Sequence, residues 1–310
     1  MKKTTLLCLG LAWLGGAHAG GLGDLLKEAL KERLQPAETV QKLNAPSAPA
    51  APTPPVAPHA PTVATPPKEA LLKSLLSGKT GEPEEIRIGQ QIAGNLLGVA
   101  PLVRDEALQR YVNQVGLWVA QQGERAKLPW RFGVVESDDI NAFAAPGGYI
   151  FLTRGLYQRL NNEAELAGVL AHEIGHVQRK HHLKLLQKSQ AIAALGGLLG
   201  QKMSDENQWV QNLIGNGAEV VARGLDKDAE YEADRIGLIL SARAGYDAYA
   251  LPAVLAEIGH VAKSDKRVSL LFKTHPHPDE RLGRLAEASA ERLDGLPEGL
   301  TLAERFYRLK

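Results

Sequence analysis

Cysteine is almost missing from this sequence: Cys8 is the only one among 310 residues. A disulfide framework is therefore excluded, and the fold must be held by its core, with a metal as further support if one binds. Aromatic residues make up only 5% of the chain, too few for a base-stacking surface. Neither charge dominates, with 36 basic against 35 acidic residues, so there is no electrostatic footprint for nucleic acid. No apolar run approaches the roughly 20 residues of a transmembrane helix, and no internal repeat is visible. What is abundant is ordinary hydrophobic residues, at 44%, enough for the core of one large domain or two small ones.

The first residues read MKKTTLLCLGLAWLGGAHAG. Lys2 and Lys3, the short apolar run Leu6–Leu14 and Ala17-His18-Ala19 have the layout of a secretory signal peptide, residues 1–19, with an uncleaved anchor as the other reading. Cys8 falls inside it, which leaves the remaining chain without a thiol and suits an oxidising compartment; the periplasm is the expected destination. Residues 20–43 contain LGDLLKEALKERLQ, whose leucines have helical spacing. This short amphipathic helix either docks on its own domain or contacts a membrane or partner. Residues 44–67 hold half of the 18 prolines and read as an extended linker in which His59 is not a ligand. The folded domain is expected over 68–310.

Within it, 82–98 and 104–123 carry helical periodicity, WRFGVVE (130–136) reads as a strand, and NAFAAPGGYIFLTRG (141–155) as two extended pieces around a Pro-Gly-Gly turn. A helix begins after Asn162, which with Glu165 forms a capping-box-like start. Its expected buried stripe is Leu166, Val169, Leu170, Ile174 and Val177.

That helix carries LAHEIGHVQRKHH, residues 170–182. His172 and His176 lie at i and i+4 and can present two imidazoles to one ion. Glu173, offset by about 100° from His172, sits beside the ion, where it would take the proton of an attacking water. Gly175 inside the helix marks close approach of another backbone. Two ligands are one short of the usual catalytic set. The third is expected from DKDAEYEADRIGLILSARAGY (226–246), where Glu230 and Asp234 share one face and Ala233 and Gly237 keep it slim. Glu230 would ligate and Asp234 would accept the N–H of a ligand histidine. Glu232, about 200° around from Glu230, is expected at the surface. Two histidines and a carboxylate favour Zn2+, one per chain.

HEIGH, EYEAD and the preceding NAFAAPGGYIFLTRGL together resemble the CAAX-prenyl-protease-type zinc metallopeptidases, and best their soluble, periplasmic HtpX-like/BepA-like branch, over roughly residues 82–290. The resemblance implies an α+β, mainly helical gluzincin-type domain with a small β-sheet flanking the active-site helix. It implies zinc on His172, His176 and Glu230, with Glu173 as catalytic glutamate. The chain departs from the family in lacking the membrane helices of integral members and the tandem repeats of some periplasmic ones.

The sheet edge along such a cleft can hold an extended peptide through main-chain hydrogen bonds. The candidate edge is Asn141, Ala142, Phe143, Ala144 and Ala145, with 149–153 its neighbour; an ordinary core hairpin is the other reading. In THPHPDERLGRL (274–285), His275 and His277 are braced by prolines. By the resemblance, His275 is a candidate fourth ligand or switch and Arg281 a candidate oxyanion donor; a rigid turn before a surface helix is the bland alternative. The cluster Arg179, Lys180, His181, His182 and Lys184 is expected to be a solvated helix end. The apolar, glycine-rich 191–217 stretch is expected to be a lid-like loop or a packed connection. The activity implied is hydrolysis of peptide bonds in unfolded or misassembled envelope proteins, with peripheral membrane association through 22–35 left open and no nucleic acid involved. The rival is a chaperone-like binding protein with a structural or latent zinc site.

Overall fold

A computed structural model describes residues 80–188, 225–262, 264–275, 278–289 and 299–309. The expected signal peptide (1–19), the segment 20–43, the linker 44–67, the start of the domain near residue 68, the 191–217 stretch, Pro276 and His277 lie outside the described residues.

Helix α1 (Glu82–Val99) starts with a proline and three glutamates in its first turn, a composition suited to a helix N-terminus. Helix α2 (Glu106–Ala120) is capped by Asp105, whose side chain accepts from Leu108 N. Strands β1 (Arg131–Val135), β2 (Ala142–Ala145) and β3 (Tyr149–Thr153) form a sheet in the order β1-β3-β2. β3 runs parallel to β1 and antiparallel to β2. The β2–β3 turn is Pro146-Gly147-Gly148, and its glycines adopt φ of +76° and +102°, which a side chain would resist.

The outer side of β1 is occupied, since Val103 N donates to Val134 O and Glu136 N to Pro101 O. β2 pairs with β3 alone among the described residues and so forms the open edge. Thr153 N donates to Asn141 O at 2.9 Å, which fixes the ladder phase. Alternation along an antiparallel pair then turns the backbone N–H and C=O of Ala142 and Ala144 outward.

Helix α3 (Arg154–Tyr157) is a single turn leading to α4 (Glu163–Gln178). Asn162 caps α4 by accepting from Glu165 N, and the Glu165 carboxylate accepts from Asn161 N at 2.7 Å, one residue earlier than in a standard capping box. The expected one-sided stripe is corrected here: all sixteen residues of α4 are buried. The helix is central, with α2, the sheet, α5 (Lys227–Arg243) and α6 (Ala250–Gly259) packed around it. Helices α7 (Ser269–Thr274) and α8 (Pro278–Ser289) follow, α8 lying against α5 and α6. Among the described residues no helix is long and apolar enough to cross a membrane.

Both ends of α4 are clamped by buried carboxylates. At its start Glu163 accepts from the hydroxyls of Tyr111 and Tyr246 and pairs with Arg305. At its end Glu85 of α1 pairs with Arg125 at 2.7 Å and Lys180 at 3.1 Å and accepts from Gly147 N, while Arg125 also donates to Val177 O. Along its length α4 meets α5 at unusually short range. A Cβ added at Gly175 would stand 3.1 Å from Ala233 O, and one at Gly237 would stand 3.0 Å from His172 N.

Two outcomes follow from this packing. Gly237→Val crowds the α4 backbone and gains less helix propensity than alanine would, so urea unfolding should show a loss of about 1–3 kcal/mol; an unchanged midpoint would mean the helices separate freely. Glu85→Ala should cost about 1–3 kcal/mol at pH 7, because it leaves the largely buried Arg125 with Glu82 as its remaining carboxylate and Gly147 N without its acceptor. Burial pushes the Glu85 carboxyl up, but Arg125 and Lys180 more than offset this and hold it below its ordinary value. The wild-type advantage is therefore full above about pH 5 and fades as acid drives protonation below the ordinary carboxylate range. A gap between variant and wild type that widens in acid would contradict this sign.

Candidate metal centre

Four side chains converge between α4, α5 and the residue that ends α7. One ligand atom each from His172, His176, Glu230 and His275 lies within 4.8 Å of all the others. His172 Nε2 and His176 Nε2 are 3.0 Å apart, His176 Nε2 is 3.4 Å from Glu230 Oε1, and His172 Nε2 is 3.7 Å from Glu230 Oε2. A tetrahedral site with bonds of about 2.0–2.1 Å has ligand-to-ligand edges of about 3.4 Å, so these spacings are within a few tenths of an ångström of what such an ion needs. His275 Nδ1 is 2.7 Å from Glu230 Oε2. All four residues, with Glu173, Asp234 and Arg281, are at most 6% exposed.

Local structure places each of them. The 3.6-residue period puts His172 and His176 on the face of α4 that meets α5, and the slim residues Ala233 and Gly237 bring Glu230 and Asp234 against it. Asp234 Oδ1 is 2.9 Å from His172 Nδ1, so this carboxylate can hold the His172 proton on the nitrogen that faces away from the cluster. Arg281 of α8 braces Asp234 with Nε at 2.8 Å and Nη2 at 2.5 Å; its remaining nitrogen, Nη1, is 3.7 Å from Glu230 Oε2. Helix α8 is tied to α5 at a second point, where Glu280 meets Lys227 at 2.7 Å and the Tyr231 hydroxyl at 3.2 Å. Glu173 Oε2 is buried without a hydrogen-bond partner, as is Glu230 Oε1.

Burial pushes the Glu173 carboxyl upward, as suits a group that takes and returns a proton. It pushes His176 far down and so holds that imidazole neutral, the form that ligates a metal. Burial would raise Glu230 as well, but His275, Arg281 and His172 more than offset it and keep it ionised. For His275 burial acts downward, and the carboxylates of Glu230 and Glu173 prevail and raise it. Asp234 lies well below the carboxylate range, because Arg281 and His172 outweigh burial. Three carboxylates, Glu173, Glu230 and Asp234, stand around one guanidinium, that of Arg281. That excess of negative charge, two unpartnered carboxylate oxygens and two imidazole nitrogens aimed at one point suit a divalent cation.

The expectation of a solvated helix end beyond the motif holds for Lys184 and in part for Arg179 and Lys180, and fails for His181 and His182. Lys180 takes φ +58° and turns the chain into a second helical stretch, 181–188, whose Leu183 and Leu186 pack against Ile88 and Ile92 of α1 and Ala145 of β2. His181 and His182 are buried as a result. The His182 ring lies 5.5 Å from that of His176, and burial pushes its pKa down to about 3. His181 Nδ1 is 2.9 Å from His176 Nδ1, and His181 Nε2 is 3.3 Å from Glu232 Oε2. Glu232 is half-exposed rather than free at the surface, and it also meets Arg179 Nε at 2.9 Å. These contacts were missed because i and i+5 do not share a helix face, and nothing in Arg179-Lys180 marks a turn. The available hint was two adjacent histidines directly after the motif.

The family model described as Peptidase family M48 matches residues 106–289. The chain is 32% identical over 235 residues to the β-barrel assembly-enhancing protease of Escherichia coli (strain K12), covering 73% of this chain and 47% of that one. It is 33% identical over 206 residues to the protein of the same name in Yersinia pestis, with 64% and 42% covered. It is 31% identical over 163 residues to the mitochondrial metalloendopeptidase OMA1 of Arabidopsis thaliana, with 52% and 32% covered. The chain thus spans less than half the length of each of these relatives. On the extent of the family match and of the shared sequence, the chain belongs to Peptidase family M48.

Proposed function

We propose that this chain is a zinc metalloendopeptidase that hydrolyses peptide bonds in unfolded or misassembled cell-envelope proteins in the periplasm. The observation that carries the reading is the buried set His172, His176 and Glu230 at tetrahedral spacing, with the unpartnered carboxylate of Glu173 beside it. The names of the relatives, a β-barrel assembly-enhancing protease and a metalloendopeptidase, support the reaction class and a substrate in the envelope. The secretory layout of residues 1–19 supports the location.

In this reading His172, His176 and Glu230 hold the ion. When bound, zinc supplies Lewis acidity, polarising the scissile carbonyl and acidifying water at the site. Glu173 takes the proton of the attacking water and returns it to the leaving amine, for which its raised carboxyl is suited. Arg281 holds Asp234, and its Nη1 is the nitrogen that remains to donate to the developing oxyanion. The open edge of β2, with Ala142 and Ala144 presenting backbone groups outward and Asn141 and Phe143 alternating with them, holds an extended peptide as an added strand. That mode reads main chain more than side chain, which suits unfolded substrates.

A latent state has its own support. His275 reaches Glu230 at 2.7 Å and belongs to the four-ligand cluster, so it can occupy the position a substrate needs. A site closed by His275 binds peptide and turns over slowly.

Glu173→Gln should keep the bound metal and lower the rate of casein cleavage about 10²–10⁴-fold; equal cleavage by both proteins would remove Glu173 from the mechanism. His275→Ala should retain one zinc per chain and cleave casein faster than wild type. Loss of zinc from that variant would make His275 an obligatory ligand and end the gating reading.

A further inference from the structure

We propose that His181 and Glu232 form a relay that positions His176, holding its ring in the orientation and tautomer required for its Nε2 to ligate. The proposal rests on the reading of His176 as a ligand.

His176 Nε2 faces the cluster, 3.0 Å from His172 Nε2 and 3.4 Å from Glu230 Oε1. Ligation requires a lone pair on that nitrogen, so the proton of the neutral ring must sit on Nδ1. Nδ1 points at His181 Nδ1, 2.9 Å away. His181 must then accept at Nδ1 and carry its own proton on Nε2, where Glu232 Oε2 accepts it at 3.3 Å. The other oxygen of Glu232 meets Arg179 Nε at 2.9 Å, and Arg179 also donates to Glu124 at 3.0 Å. Donor and acceptor roles are thus set in one direction from His176 to the carboxylate.

The arrangement mirrors the support of the other histidine. His172 Nδ1 meets Asp234, which Arg281 braces. His176 reaches Glu232 through the imidazole of His181, and Glu232 is ion-paired with Arg179 without the hydrogen bonds that Arg281 gives Asp234. The insertion has a geometric cause. Glu230, Glu232 and Asp234 all lie on α5, but the side of the helix that carries Glu232 turns away from the cluster. One imidazole, supplied by the turn at Lys180, spans the gap. Glu232 and Arg179 are more than one-third exposed, so this half of the support opens to solvent while the Asp234 half is sealed.

The test is zinc affinity, measured by competition with a chromophoric chelator on the purified full chain, with far-UV circular dichroism and thermal unfolding of the metal-free forms as controls. His181→Leu should bind zinc about 10–100-fold more weakly than wild type. His181→Asn should recover most of the affinity, because its Oδ1 replaces the Nδ1 acceptor while filling less space. Glu232→Gln, at a half-exposed site where folding is not at risk, should weaken binding by a smaller factor. Equal weakening by Leu and Asn would reduce His181 to a packing residue, and wild-type affinity in all three variants would overturn the relay. His176→Ala separates the two readings: if it binds zinc as wild type does, the ligand assignment has failed; if it alone loses zinc, the relay has failed and the assignment stands.

Discussion

The structure depends on how closely α5 can lie along α4. Helix axes ordinarily stand about 8–10 Å apart, a distance set by the side chains between them. Here Gly175 on one helix and Ala233 and Gly237 on the other leave the backbones in near contact. That approach carries Glu230 to within 3.4–3.7 Å of two imidazole nitrogens and seats the shorter Asp234 directly behind His172. Larger residues at these positions would hold the carboxylates away from the histidines, and no change on the ligand side could restore the spacing.

Close packing also explains the electrostatics. Charged groups taken out of water are tolerated only when paired. Arg281 satisfies Asp234 with two hydrogen bonds, and Glu163 and Glu85 each collect several donors at the two ends of α4. Glu173 and Glu230 differ, because each keeps a buried oxygen without a hydrogen-bond partner. Both of these unpartnered oxygens lie where an ion and a reacting water would be held, while Asp234 beside them is engaged by Arg281. The clamps at both ends of α4 add rigidity to the helix that carries both histidines and Glu173, the preorganisation a precise metal site needs.

The legible parts of the molecule are those governed by local period. The strands and the shared faces of His172/His176 and Glu230/Asp234 follow from spacings of two or four residues, the start of α4 from Asn162 and Glu165 three apart, and the Pro146-Gly147-Gly148 turn from its residue types. The closeness of α4 and α5 was legible for a related reason, since glycine inside a helix has few uses other than approach. The parts that could not be read depend on neighbours remote in sequence. Burial of α4 on every side needs four elements packed around it, and periodicity reports only one helix at a time. The open edge of β2 depends on 101–103 occupying the other edge of the sheet.

The sequence by itself determined the chemistry available: which residues can bind a metal, which carboxylate lies beside it, and which helix faces present them. It could do so because i and i+4 neighbours are set by backbone geometry alone. Beyond Asp234, only the tertiary structure decided what supports those residues. The turn at Lys180 buried two histidines of an apparent charged helix end, and the packing of α8 on α5 brought Arg281 to Asp234. Such contacts join elements separated by tens of residues, and their energies come from the whole core rather than from any local stretch of chain.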